Sequence, residues 1–426
     1  MSDRLAIPAA GTSNQPAIST VSDIAQARAV TSPCPDSKVV TTTAGTLLAT
    51  AIIMAAFTLR PAVTSLASIL GDVRTALGAT AAWSSLIAAA PTICFGLAGF
   101  AAPWVDRKLG TTRALLAALT LIAAGLFARV AAGPSLLLIA TFALCGGIAV
   151  CNVLLPVMIK EYFPNQVGRL TGLFSASLAF SASMGAATTP AVQNLGGWRV
   201  ALGVWALPGI LAIALWWNAT RKLNVVKAEA TQTPGEHRSL VRNAKAWYIT
   251  IFFALQAGFS YTTMAWLSEV LTHTAGVDRT TAGIMFGITM LIGVPISLTV
   301  PAIAARQRNP YGWVVLLTAM SMIGTLGLML APATLTGLWL LFVGAGIGIF
   351  PLGVAFISIR TRTPADTVRM SAMAQSLGYL LAAIGPFLFG LLREMTGGFT
   401  ASHIAVLGFL SLQMVFGTLA ARPRFV

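Results

Sequence analysis

Arg60 stands inside an apolar run, in Phe57-Thr-Leu-Arg60-Pro61-Ala-Val-Thr64, well away from either end of it. A charged side chain at the centre of a lipid-spanning helix costs about 2.5–3.5 kcal/mol on insertion scales, so it usually faces a cavity or a partner. Pro61 has no backbone N–H and disturbs the helix there, which frees backbone groups beside the arginine. The structural alternative is an arginine that snorkels to the surface or bonds backbone carbonyls. No acidic residue lies deep in any apolar run; Glu269, close to the end of one, comes nearest. Arg60 therefore lacks a buried counter-ion, and an anionic solute is able to supply one. Such a pair, about 4 Å apart at an effective dielectric near 20, gains roughly 4 kcal/mol before desolvation. The same lack argues against a buried Asp/Glu proton relay. A proton remains a candidate coupling ion, because the solute itself is able to carry it.

Other polar side chains sit in apolar runs. Gln256, Tyr261 and Trp266 share one run, Gln375 and Tyr379 stand at i, i+4 on one face of another, and Asn152 lies in a third. All can hydrogen-bond a small solute. Each is explained equally well by bonding between helices, and Trp266 by an aromatic belt at the membrane surface. Gly344-Ala-Gly-Ile-Gly348 looks like a nucleotide fingerprint, but no strand precedes it, so close helix packing is expected. Gly378, Gly385-Pro386 and Gly390 are expected to give close contacts and a bend. His237, His273 and His403 are scattered, and the four cysteines show no metal-site spacing. There is no phosphate-binding loop and no nucleophile–base pattern. No cofactor, no metal and no enzymatic activity are expected.

The elements that must position these residues are membrane helices. Of 426 residues, 56% are hydrophobic and only 9% charged. A soluble chain carries about a quarter charged residues, so this composition suits lipid as the solvent. Apolar runs at 44–70, 81–103, 112–131, 134–159, 169–191, 198–218, 245–270, 280–304, 311–330, 334–359, 370–393 and 400–421 predict twelve transmembrane helices. Residues 1–43 read as a flexible tail. A charged linker at 219–244 divides a six-helix bundle at 44–218 from another at 245–426. The net charge of +15 reflects orientation rather than nucleic-acid binding. Lys and Arg number eighteen on the side of the even-numbered loops and five on the other, counting Arg74, Arg129, Arg199, Arg279 and Arg393. Both termini are thereby expected in the cytoplasm, with the protein in the plasma (bacterial inner) membrane. An internal repeat supports the division. Arg169-Leu-Thr-Gly-Leu-Phe-Ser matches Arg369-Met-Ser-Ala-Met-Ala-Gln-Ser, and Gly196-Gly197-Trp198 matches Gly397-Gly398-Phe399, each 200 or 201 residues apart. An offset of six helices preserves direction, so the halves are parallel repeats with a site expected between them.

Several stretches resemble the major facilitator superfamily and, within it, the cyanate and 2-nitroimidazole transporter family. They are Leu59-Arg-Pro-Ala-Val-Thr-Ser65, Leu155-Pro-Val-Met-Ile-Lys160, Gly196-Gly-Trp-Arg-Val-Ala-Leu-Gly-Val-Trp-Ala206, Phe252-Phe-Ala-Leu-Gln256 and Met373-Ala-Gln-Ser-Leu-Gly-Tyr-Leu-Leu-Ala-Ala-Ile-Gly-Pro386. The resemblance implies an all-α major facilitator fold and secondary transport of a small anionic or nitrogen-containing solute by alternating access. Arg60 would bind the solute, with Gln256, Tyr261, Asn152, Gln375 and Tyr379 shaping the pocket. The superfamily's loop between helices 2 and 3 reads Asp-Arg-x-Gly-Arg; here it is Asp106-Arg107-Lys108-Leu-Gly110, one place out of register. These four residues are assigned to topology and the inward gate. Partners are the solute and the bilayer, and a monomer is expected. An efflux carrier for toxic organic compounds and a non-transporting receptor are the alternatives.

Overall fold

Proline and glycine decide where the long apolar runs break. The computed structural model describes residues 42–131, 133–163, 166–221, 242–307, 309–361 and 364–423. The expected tail and most of the expected linker, with Lys222, Lys227 and His237, lie outside the described residues, as does Cys34. The first run is divided into α1 (Thr42–Leu59) and α2 (Pro61–Ser68), and a short α3 (Leu70–Ala76) begins at its last residue. Pro61 starts α2 because its ring excludes a helical bond to the turn before it. The next helices are α4 (Ala81–Leu109), α5 (Thr111–Ala131), α6 (Pro134–Tyr162), α7 (Val167–Gly203) and α8 (Ala206–Thr220). Gly197, at φ 77° and ψ 171°, breaks α7 into two helices; Gly397, 200 residues later, also has a positive φ, 68°, but with ψ 6° it is a left-handed helix cap.

After the linker come α9 (Ala244–Val270), α10 (Arg279–Ala305), α11 (Tyr311–Leu330), α12 (Thr336–Ile347), α13 (Phe350–Ile359), α14 (Pro364–Ala382), α15 (Ile384–Thr396) and α16 (Thr400–Ala421). α12 and α14 end at Ile347 and Ala382, four residues ahead of Pro351 and Pro386, where the proline ring meets the helix carbonyl. Caps finish several ends: the Thr80 hydroxyl accepts from the Trp83 N–H at 3.2 Å and the Asn243 side chain accepts from the Lys245 N–H at 2.9 Å.

Ten stretches among the described residues are long and apolar enough to cross a membrane. One of them, 169–220, holds the two helices parted at Gly197 together with α8. The expected run at 245–270 is not among the ten, although α9 is a 27-residue helix there. α9 is buried on nearly every face, with Gln256, Ser260, Thr262, Ser268 and Glu269 inside. Its polar groups meet other helices rather than lipid, so it does not need a lipid-like composition. Elsewhere large apolar side chains such as Phe127, Ile139, Ile288 and Val415 are exposed, as lipid-facing residues are. Small residues allow close helix approach. A Cβ on Gly344 would lie 2.6 Å from the Thr289 carbonyl, and one on Gly96 would lie 2.5 Å from Leu380 Cγ. These contacts join α12 to α10 and α4 to α14, and the expected packing role of the Gly344–Gly348 stretch is met.

Candidate functional site

Arg60 occupies the break between α1 and α2. Its own carbonyl accepts from the N–H groups of Val63 and Thr64, both at 3.0 Å. The side chain points across the molecule to α9, where Nη1 donates to the Tyr261 hydroxyl at 3.2 Å. It neither snorkels nor caps a carbonyl. Both residues line a cavity of about 300 Å³. The remaining walls come from α7 (Ser175, Leu178, Ala182), α9 (Ser260, Met264), α10 (Met290, Val294, Ser297) and the α12–α13 junction (Ile347, Phe350, Pro351). The cavity is thus bounded by helices from before and after the linker. Among the described residues lining it, Arg60 is the one charged side chain and none is acidic.

The kink that presents Arg60 is held from behind. Arg129, with no exposed surface, donates through Nη1 to the Ala62 carbonyl at 2.7 Å. Its Nη2 lies 3.2 Å from Ser65 Oγ and 3.3 Å from the Leu202 carbonyl. The expectation that Arg129 belongs to a loop is therefore corrected: carbonyls loosened around the α2 kink draw its guanidinium inward. Gly185 on α7 faces Pro61 and Thr64, leaving no room for a side chain at that contact.

The other expected site residues divide. Tyr379 adjoins the cavity through an aromatic cluster, its ring 5.0 Å from Phe253, 5.4 Å from Phe95, 6.3 Å from Tyr261 and 6.5 Å from Phe350. Gln256 is buried and does not line the cavity. Its Nε2 donates to Ser260 Oγ at 3.2 Å and to the Gly346 carbonyl at 3.3 Å, so it steadies a wall residue. Gln375 donates to Ser371 Oγ at 2.6 Å, one turn back on its own helix, and Asn152 is half-buried on α6; neither lines the cavity. Asp106 accepts from the Thr111 hydroxyl at 2.7 Å, while Gly110 at φ 76° ends α4. Lys108 stands 4.1 Å over the Trp104 ring, and Arg107 is exposed. Trp266 is not in a belt: it is 1% exposed, and its Nε1 donates to the Pro386 carbonyl at 2.9 Å.

Beyond the cavity the helices close over one another at the end that holds Asp72 and Glu269. Arg279 Nη2 lies 2.8 Å from Asp72 Oδ1, and Gln193 Nε2 donates to Asp72 Oδ2 at 2.9 Å. Ser268 Oγ donates to the Ser68 carbonyl at 3.0 Å, and Asn194 Nδ2 to Thr280 Oγ1 at 3.2 Å. Glu269 is buried against Gly71 and pairs with Arg393 at 2.6 Å. A second, polar cavity of about 290 Å³ lies there, lined by Asp72, Arg74, Glu269, His273 and Arg279 among others.

The arrangement can hold one negative charge at Arg60 beside hydroxyl groups and apolar walls. A family model described as Major Facilitator Superfamily matches residues 46–389. A 2-nitroimidazole transporter of Escherichia coli (strain K12) is 34% identical over 384 residues, 89% of this chain and 96% of the relative. The cyanate transport protein CynX of the same organism is 27% identical over 372 residues, 86% of this chain and 96% of the relative. The solved structure of the nucleoside transporter NupG has the same fold, with a TM-score of 0.73 at 14% identity, covering 87% of this chain and 99% of that one.

Proposed function

The chain belongs to the Major Facilitator Superfamily, and on that footing we propose that it is a secondary transporter of a small anionic or nitrogen-containing solute, moved by alternating access. One observation carries the reading: Arg60 is a lone cation facing a cavity between helices of both repeats, with no acidic wall residue among those described. The printed names of the two curated relatives, a nitroimidazole and a cyanate carrier, fit such a site. Arg60 binds the solute. Tyr261 holds the guanidinium while the site is empty. Tyr379 stiffens the wall, and Gln256 acts through Ser260; roles for Asn152 and Gln375 at the solute lack a supporting contact.

In this reading the halves 44–218 and 245–426 rock about the cavity, and the contacts around Asp72, Ser268 and Arg279 are the outward mouth in its closed form. Asp106, Arg107, Lys108 and Gly110 then lie at the cytoplasmic end, with both termini, and a proton is the coupling ion to test first. The test is counterflow in proteoliposomes containing the full chain, with 2-nitroimidazole and cyanate as solutes, across imposed proton gradients of both signs. Saturable flux that follows one gradient supports the reading and gives the direction of transport. Binding without flux would make the protein a receptor.

A further inference from the structure

We infer that the cargo is a flat aromatic monoanion, with its charge at the ring's edge, rather than a small inorganic anion. The inference rests on the carrier reading above and deepens it. The first ground is charge: one guanidinium and no opposing carboxylate line the cavity among the described residues. A dianion leaves one charge unmatched, and a zwitterion or an amine finds no partner for its ammonium group.

The second ground is hydration. Entering anions lose water, and few wall groups replace it. Of the three serine hydroxyls, Ser297 spends its proton on the Gly348 carbonyl at 3.4 Å, which leaves Ser175 and Ser260, the latter accepting from Gln256 at 3.2 Å, with an O–H to give. A bare linear anion fills little of a cavity of about 300 Å³, and the rest of its shell meets Leu178, Met264, Met290, Val294 and Phe350. An organic anion instead presents its charged edge to Arg60 and the Tyr261 hydroxyl and its apolar body to those walls.

The third ground is the nature of those walls. Met264 and Met290 bring two thioethers, whose sulfur makes favourable contacts with aromatic rings. Phe350 and Tyr261 offer ring surfaces, and the cluster with Phe95, Phe253 and Tyr379 keeps them in place. Burying a ring of phenyl size in such surroundings improves affinity by about 10- to 100-fold.

Benzenesulfonate is the probe, because it stays charged at every working pH and does not leak through lipid as a neutral acid. Its binding to the full chain in lipid nanodiscs is compared by titration calorimetry with methanesulfonate, cyanate, benzene-1,3-disulfonate and neutral benzenesulfonamide. The expected result is saturable binding of benzenesulfonate at least about tenfold tighter than any of the others, lost in Arg60→Gln and retained in Arg60→Lys. The wild-type ranking decides by itself if Arg60→Gln fails to fold. Methanesulfonate or cyanate binding as tightly as benzenesulfonate overturns the ring requirement. Benzenesulfonamide or the disulfonate binding as tightly overturns the requirement for a single charge. No binding of benzenesulfonate overturns the inference outright. Counterflow separates the two levels: flux of 2-nitroimidazole or cyanate that benzenesulfonate does not inhibit sinks the inference and leaves the carrier standing. Loss of flux and binding with every solute sinks both.

Discussion

Replacing Arg60 by glutamine removes the one charge in the cavity while keeping a polar side chain. Its magnitude follows from what the guanidinium meets. In the empty site its side-chain hydrogen bond goes to a neutral phenol at 3.2 Å, worth about 1 kcal/mol. Against a bound anion about 4 Å away, the Coulomb gain at an effective dielectric near 20 is roughly 4 kcal/mol, and desolvation removes part of it. The net loss on substitution is therefore about 2–4 kcal/mol, which is about 30- to 1,000-fold in half-saturating solute concentration. Folding is affected far less, because only the neutral bond is lost; heat stability should change by no more than about 1 kcal/mol. Tyr261→Phe serves as the companion, since it frees Nη1 without removing charge, and should alter half-saturation less than about fivefold. Counterflow in proteoliposomes measures the first quantity, and thermal denaturation in detergent the second. Half-saturation within threefold of wild type in well-folded Arg60→Gln protein would refute the assignment. So would a large loss of stability with unchanged flux per folded molecule, which would make Arg60 a structural residue.

Three further outcomes follow from contacts away from the cavity. Arg129→Met removes the guanidinium bonded to the Ala62 carbonyl, Ser65 and Leu202, and should cost about 2–4 kcal/mol of stability in thermal denaturation, with partial flux kept at low temperature. Glu269→Gln leaves the half-buried Arg393 without its carboxylate and should cost about 2–3 kcal/mol; pairing it with Arg393→Met should restore most of that, measured as a double-mutant cycle. Asp72→Asn acts on a partly exposed pair, with side chains 62% and 20% exposed for Arg279 and Asp72, so its stability cost should stay below about 1 kcal/mol. It should nonetheless raise the labelling rate of a cysteine introduced at Ser68, because the closed end opens more often; an unchanged rate would count against a latch there.

Arg60 and Tyr261 were legible in the sequence because charge and phenol are costly in lipid and have few places to go. The expected repeat predicts like turns at Gly197 and Gly397, and the two share a positive φ but differ in ψ, 171° against 6°. Gln256 and Gln375 looked like equal candidates, since an amide that steadies a neighbouring serine and one that faces a solute leave the same trace in sequence. Arg129, Trp266 and Glu269 were placed near the surface by their distance from the helix ends. That distance says nothing about which other helices fold over those ends. The cavity's Met264, Met290 and Phe350 were invisible for a related reason: in a chain that is 56% hydrophobic, an apolar residue facing a cavity looks like one facing lipid.

Arg60 and Tyr261 stand 201 residues apart, and Ser68 and Ser268 stand 200 apart, which is the spacing of the repeat itself. If the expected repeat relates the halves, these touching residues are equivalent positions and would lie on its pseudo-two-fold axis. On such an axis an unbroken symmetry would offer a ligand the same side chain twice. Two arginines at 3.2 Å would repel by roughly 5 kcal/mol at an effective dielectric near 20, and two tyrosines would bring no charge. One of each gives a single positive site without self-repulsion, and that broken symmetry would suit the proposed monoanion. In the proposed rocking motion such an axis would stay nearly still, so a solute at Arg60 would sit at the fulcrum while the helix ends make the large movements.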